Sequence, residues 1–205
     1  MENIDIVFCI EKGCKTEFSD FVGSYIDDFI SSIIDFKKKR GCHVASIRFK
    51  YLEFCCSKND TSLINNPDKG FDIVYSNGNM VIDNINHFNF IVNSDYETQG
   101  PLQNIFSAIL SDWHLFAERN KSLQIILVYS KEGTSFKNND AMDRLFDVWE
   151  ELKIVDKKLI LYTLEDNLWE CISCNFTNTI SVPIDNDFEF SNNLEHIVGN
   201  MLFAI

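Results

Sequence analysis

The stretch Ile4-Asp5-Ile6-Val7-Phe8-Cys9-Ile10 constrains this chain more than any other. It is an almost unbroken run of apolar and β-branched residues. Such a run reads as a strand covered on both faces, the environment of a central strand in a parallel sheet. A polar loop with a glycine follows, Glu11-Lys12-Gly13-Cys14-Lys15-Thr16, and leads into a long amphipathic segment. In open α/β sheets ligands gather outside the carboxyl ends of the central strands. Small-ligand or metal chemistry is therefore expected to involve this loop.

The rest of the chain alternates helical and strand patterns. Phe18, Phe21, Val22, Tyr25, Ile26, Phe29, Ile30, Ile33 and Ile34 recur at three- and four-residue spacing, which predicts a helix with one broad apolar face, ended by Gly41. Val44–Phe54 reads as a strand that alternates in its second half, so it belongs off the sheet centre. Asn59–Gly70 has loop composition. Phe71–Tyr75 and Met80–Ile82 read as short strands joined by an Asn-Gly hairpin signal. Phe88–Val92 fits either state, and Asn93–Gly100 is polar loop.

Pro101 suits the first position of a helix whose inward residues are Leu102, Ile105, Phe106, Ile109, Leu110, Trp113 and Phe116. Leu123–Tyr129 and Leu159–Tyr162 are further buried strands. Between them lies a helix with Met142, Leu145, Phe146, Trp149 and Leu152 inward. A short helix near Asp166–Cys171, a strand at Thr179–Pro183 and a helix at about 191–203 complete the pattern. No repeat or linker divides the chain. The expected fold is a single three-layer α/β/α domain over residues 1–205, Rossmann-like, with a mainly parallel sheet of about six strands and one short antiparallel edge strand.

A formal charge of −13 argues against binding nucleic acid or an anionic membrane through a general basic surface. The basic run Lys37-Lys38-Lys39-Arg40 falls at a helix end, where cations complement the dipole. Seven cysteines without regular spacing, several inside apolar runs, read as buried free thiols in a reducing setting. With no secretory signal pattern and no apolar run of about 18 residues, the expected location is cytoplasmic.

The order of these elements resembles the von Willebrand factor A domain. The likeness rests on "DIVFCI" with its loop and long helix, the strand "VASIRFKYLEF", the hairpin region, "TQGPLQNIFSAILSDW" and "QIILVYS". It looks closest to the bacterial intracellular, tellurium-resistance-like branch. The resemblance implies a metal-ion-dependent adhesion site on three loops: Asp-x-Ser-x-Ser after the first strand, a Thr before the middle helix and an Asp after the fourth strand. Mg²⁺ requires an octahedron of hard oxygens. The aligned positions here are Glu11, Gly13 and Lys15 in the first loop, Gly100 with Thr98 nearby in the second, and Ser130 in the third. The hydroxyls and the third-loop carboxylate are missing, and Lys15 would bring an ammonium towards the vacancy. The site is expected to be degenerate, with no metal and no cofactor.

Other constellations carry less. Cys171-Ile172-Ser173-Cys174 falls late in the chain, away from the early strand–helix junction a redox pair uses, and reads as structural thiols. His43, His87, His114 and His196 lack metal-ligand spacing, and no nucleophile elbow or phosphate-binding glycine loop is present.

The leading expectation is a non-enzymatic protein–protein interaction module. Recognition would use a polar rim containing Lys12, Lys15, Glu97, Thr98, Lys131 and Glu132. The resemblance further implies work beside an ATPase, a kinase or other components of a multi-protein stress or phage-defence system. Two alternatives stand beside this reading: a Mg²⁺-binding module with altered ligands such as Glu11, Thr98 and Glu132, and a small α/β hydrolase or redox enzyme with an unrecognised site. No motif names the partner, the pathway or the oligomeric state.

Overall fold

Strand β1 (Glu2–Glu11) occupies an interior position of a seven-stranded sheet. In the computed structural model, residues 2–58, 60, 63, 70–95, 98–111, 113, 121–134, 139–151 and 156–203 are described. The other strands are β2 (Val44–Phe54), β3 (Asp72–Ser76), β4 (Asn79–Met80), β5 (Lys121–Ser130), β6 (Asp156–Thr163) and β7 (Thr179–Pro183), in the spatial order β4-β3-β2-β1-β5-β6-β7. The pairs β1–β2, β1–β5, β5–β6 and β6–β7 are parallel. Among the described residues, the β2–β3 and β3–β4 pairs alone are antiparallel. The three strands with the most continuous apolar runs are neighbours, as their two-sided burial requires.

Alternation along β1 feeds two cores. Ile4, Ile6, Phe8 and Ile10 face helices α1 (Lys15–Lys39), α2 (Ile82–Asn93) and α6 (Leu194–Leu202). Val7 and Cys9 face α3 (Pro101–Ile109), α4 (Asn139–Glu151) and α5 (Asn167–Asn175). The one charge inside the run, Asp5, is fully buried and takes a two-pronged contact from Arg48 on β2, at 2.8 and 2.7 Å. That geometry and the planar guanidinium make the burial tolerable.

Several local readings change in the fold. Phe88–Val92 belongs to α2, because Val81 already takes the hairpin's hydrogen bond to Val74 and the chain turns into helix at Ile82. The Met80–Ile82 strand is thereby limited to Met80 and its neighbour Asn79. The hairpin itself is as expected: Asn77 and Gly78 both have positive φ, 49° and 93°, the requirement of a tight two-residue turn. Tyr25, expected inward on α1, is 43% exposed. Helix α3 ends at Ile109, so Leu110 turns outward while Trp113 is buried beyond the helix end. Phe116, His114 and Leu152 lie outside the described residues.

Candidate functional site

The carboxyl ends of β2, β1 and β5 bring three segments together. Glu11, the last residue of β1, is 1% exposed. Its Oε1 accepts the Gly13 N–H at 2.6 Å and its Oε2 lies 3.5 Å from the Cys14 thiol, which donates to it. A Cβ on Gly13 would approach Oε2 to 2.9 Å, so the glycine is what lets the carboxylate fold back onto its own loop. Burial raises the Glu11 pKa, the Gly13 N–H opposes the rise and the nearby Glu132 adds to it.

Ser130 ends β5 with no exposure. Its hydroxyl donates to the Glu132 carbonyl at 3.2 Å and accepts the Glu132 N–H at 3.3 Å. Cys56, just beyond β2, packs its sulfur 3.4 Å from that hydroxyl. Burial pushes the thiols of Cys14 and Cys56 up to about 12. At neutral pH they stay protonated, without the thiolate that nucleophilic chemistry needs.

Lys15 opens α1, but its ammonium is committed elsewhere: 2.8 Å from the Ser94 carbonyl, 3.1 Å from Glu53 Oε2 and 3.7 Å from Asp95 Oδ1. The charge expected at the vacancy is thus absorbed by a carboxylate on β2. Lys131 is likewise paired, 2.9 Å from Glu17 Oε2. The same Glu17 accepts from the Tyr129 hydroxyl at 2.7 Å and the Phe190 N–H at 2.8 Å, tying α1 to β5 and to the segment before α6. Lys12 and Glu132 are exposed, whereas Thr98 is buried. The Thr98 carbonyl accepts from the Lys58 ammonium, and Gln99 beside it bridges to Phe54. Glu97 lies outside the described residues.

Two carboxylates were not legible as site residues. Asp60, inside a stretch of loop composition, accepts the Leu102 N–H at 2.8 Å and also bonds the backbone of Gly100 and Gln103. It caps α3 from 42 positions away, a distance at which sequence offers no signal. A Cβ on Gly100 would overlap Asp60 Oδ1, so the carboxylate fills the space a side chain there would need. Asp166 caps α5 through the Leu168 N–H at 2.6 Å and accepts from the Thr134 N–H and hydroxyl, locking the loop after β5 to α5. An Asp directly before a helical pattern was its available signal. Cys171 and Cys174 are free thiols, the first half-buried and the second exposed. Among the described residues no group of three or more His, Cys, Asp or Glu side chains is placed to hold a metal ion, and no helix is long and apolar enough to cross a membrane.

No family profile matches the chain and no curated protein matches it. Among solved structures, a von Willebrand factor type A protein from Catenulispora acidiphila superposes with a TM-score of 0.53 at 9% identity, covering 98% of this chain and 43% of that one. The fold is von Willebrand factor A-like. A weaker likeness, with a TM-score of 0.46 at 12% identity, is to proximal thread matrix protein 1 from the mussel byssus, covering 96% of this chain and 45% of that one. The chain spans less than half the length of either structure. In the von Willebrand factor A-like frame, the ends of β1, β2 and β5 with the start of α3 form the rim where Glu11, Gly100 and Ser130 meet.

Proposed function

We propose that this von Willebrand factor A-like chain is a non-enzymatic protein-binding module whose metal-ion-dependent adhesion site is degenerate. One observation carries the reading: the Glu11 carboxylate is buried and folded back onto its own loop, with Oε1 accepting the Gly13 N–H and Oε2 lying 3.5 Å from the Cys14 thiol. Mg²⁺ binding would need that carboxylate turned outward and several further hard oxygens beside it. Gly13 and Lys15 bring no hydroxyl, Gly100 is filled by Asp60, and the Ser130 hydroxyl is spent on Glu132. The residues present do not fit the cation. The sequence likeness to the bacterial intracellular branch extends the proposal to a partner such as an ATPase or kinase within a multi-protein stress or defence system.

The rim offers Lys12 and Glu132 as exposed charges, while Lys15 and Lys131 serve the fold. The test is a pull-down from native cells with wild type, Lys12→Glu and Glu132→Lys, each first shown to melt as wild type does. Loss of a specific partner from either variant is expected, with recovery of binding dependent on salt. A partner captured equally by all three proteins would move the interface away from the rim.

A further inference from the structure

The two edges of the sheet differ in how they are closed. At one edge β4 is only 2 residues long, and the chain covers the rest of β3 itself. There the Val81 N–H donates to the Val74 carbonyl at 2.9 Å and the Asn84 side-chain amide to the Ile73 carbonyl at 2.8 Å. At the other edge, among the described residues, β7 pairs only with β6. The register of that pair decides which main-chain groups are spent. The Leu159 N–H donates to the Asn178 carbonyl and the Ile184 N–H to the Thr163 carbonyl, each at 3.1 Å. Ile180 and Val182 therefore turn their main-chain groups towards β6. The N–H and C=O of Thr179 and Ser181, and the C=O of Pro183, point out of the sheet.

Native edge strands are blunted by charged side chains, bulges or prolines. Thr179-Ile180-Ser181-Val182-Pro183 holds no charged residue, and its pairing with β6 shows no register shift. Proline stands at its last position, where the missing N–H breaks no bond to β6. Ser181 and Pro183 are exposed, and the β-branched residues favour extended backbone.

We propose that an extended segment of another protein, carrying basic side chains, adds to β7 as a further strand, pairing with the N–H and C=O groups of Thr179 and Ser181. Two observations choose this occupant over a second copy of the chain. Antiparallel pairing of two β7 strands about Ser181 would set each Thr179 carbonyl against a Pro183 that has no N–H to give. An added segment without proline satisfies every outward group. The edge is also flanked by exposed carboxylates: Glu170, which shares a cavity wall with Ser181 and Pro183, and Asp185 and Asp187 just past the strand. They attract cationic side chains, whereas a second chain of net charge −13 is repelled. This edge lies two strands from β5, so Lys12→Glu and Glu132→Lys should leave it unchanged, and the rim reading can fail without it.

The test uses the full chain and hydrogen exchange of the Thr179 and Ser181 main-chain amides, followed by ¹⁵N–¹H resonances. The probes are an acetylated, amidated peptide alternating lysine and valine, the same peptide N-methylated at every residue, and one alternating glutamate and valine. Both amides are expected to exchange freely in the dilute chain and to slow about tenfold or more on saturation with the lysine peptide, with a Kd on the order of 0.1 mM. Ser181→Pro deletes the central outward donor and no bond to β6. It should melt as wild type does and bind about tenfold more weakly, whereas Ser181→Ala should bind as wild type does. Amides already protected in the dilute chain, or left unprotected by the lysine peptide, would overturn the proposal, and so would equal binding of the N-methylated peptide. That peptide decides the matter even if Ser181→Pro does not fold. Equal binding of the glutamate peptide would overturn the basic partner. Protection that grows with protein concentration alone would overturn it in favour of a second copy.

Discussion

The Lys15 ammonium lies 3.1 Å from Glu53 Oε2, joining the first residue of α1 to the penultimate residue of β2. The Glu53 side chain is only 3% exposed, and the Tyr51 hydroxyl also donates to it, at 3.2 Å. Removing the lysine leaves a buried carboxylate with one neutral donor. Because Lys15 itself is 19% exposed, part of the interaction is screened. Lys15→Met is expected to cost about 2 kcal/mol, measured by urea unfolding. Lys15→Met combined with Glu53→Gln should restore most of it; a double variant as unstable as the single would show that the pair is not the cause.

Core truncation reads the sheet centre. Ile6 and Ile126 are 0% and 1% exposed on neighbouring parallel strands. Replacing either by Ala should cost about 2–5 kcal/mol. A loss well under 1 kcal/mol at either position would be incompatible with their placement in closely packed layers.

Divalent metal should leave stability unchanged. If Mg²⁺ or Mn²⁺ bound with a Kd a hundredfold below its free concentration, it would add about 2.7 kcal/mol and raise the melting temperature by several degrees. The expected result at millimolar metal is no shift. A shift abolished by Glu11→Ala would restore the reading in which Glu11, Thr98 and Glu132 serve as altered ligands.

Acid should relieve strain at two carboxyls. Burial raises Glu11 above its ordinary 4.5 and Asp60 above its ordinary 3.8. Between the ordinary and the raised values the folded chain binds more protons than the unfolded one, so these groups lower stability as pH rises through that window and return it as pH falls. Their penalty is absent below the ordinary values and complete above the raised ones. Glu11→Gln is expected to flatten the stability profile from about pH 4.5 upwards, read as melting temperature against pH. An unchanged profile would contradict the raised carboxyl.

Lys158, at the start of β6, is 8% exposed and its ammonium has no hydrogen-bond partner among the described residues. Burial lowers its pKa first, with Lys37 adding to the effect and Asp156 opposing it. The folded chain thus binds fewer protons at this group than the unfolded one. Its penalty is complete below the lowered value and disappears as pH rises to the ordinary 10.5. Lys158→Met should stabilise by about 1–3 kcal/mol at neutral pH, with a gain that shrinks in alkaline buffer. Destabilisation by that substitution would reveal a role for the charge.

Apolar runs and periodicity by themselves determine most of the architecture. A run covered on both faces, such as Ile4–Ile10 or Leu123–Tyr129, has few places to go except the middle of a parallel sheet, and Asn77-Gly78 could close its hairpin with little alternative. These are local properties: burial demand and backbone conformation are written in neighbouring residues. The site was legible only in part. Glu11, Gly100 and Ser130 could be placed on one rim from strand order, but the state of their atoms could not. That Asp60 would fill the space beside Gly100, that Glu53 would take up Lys15, and that Asp166 would bind Thr134 are contacts between segments far apart in the chain. Hydrogen bonds and ion pairs act over a few ångströms, and only the folding of the sheet decides which distant groups come within that reach.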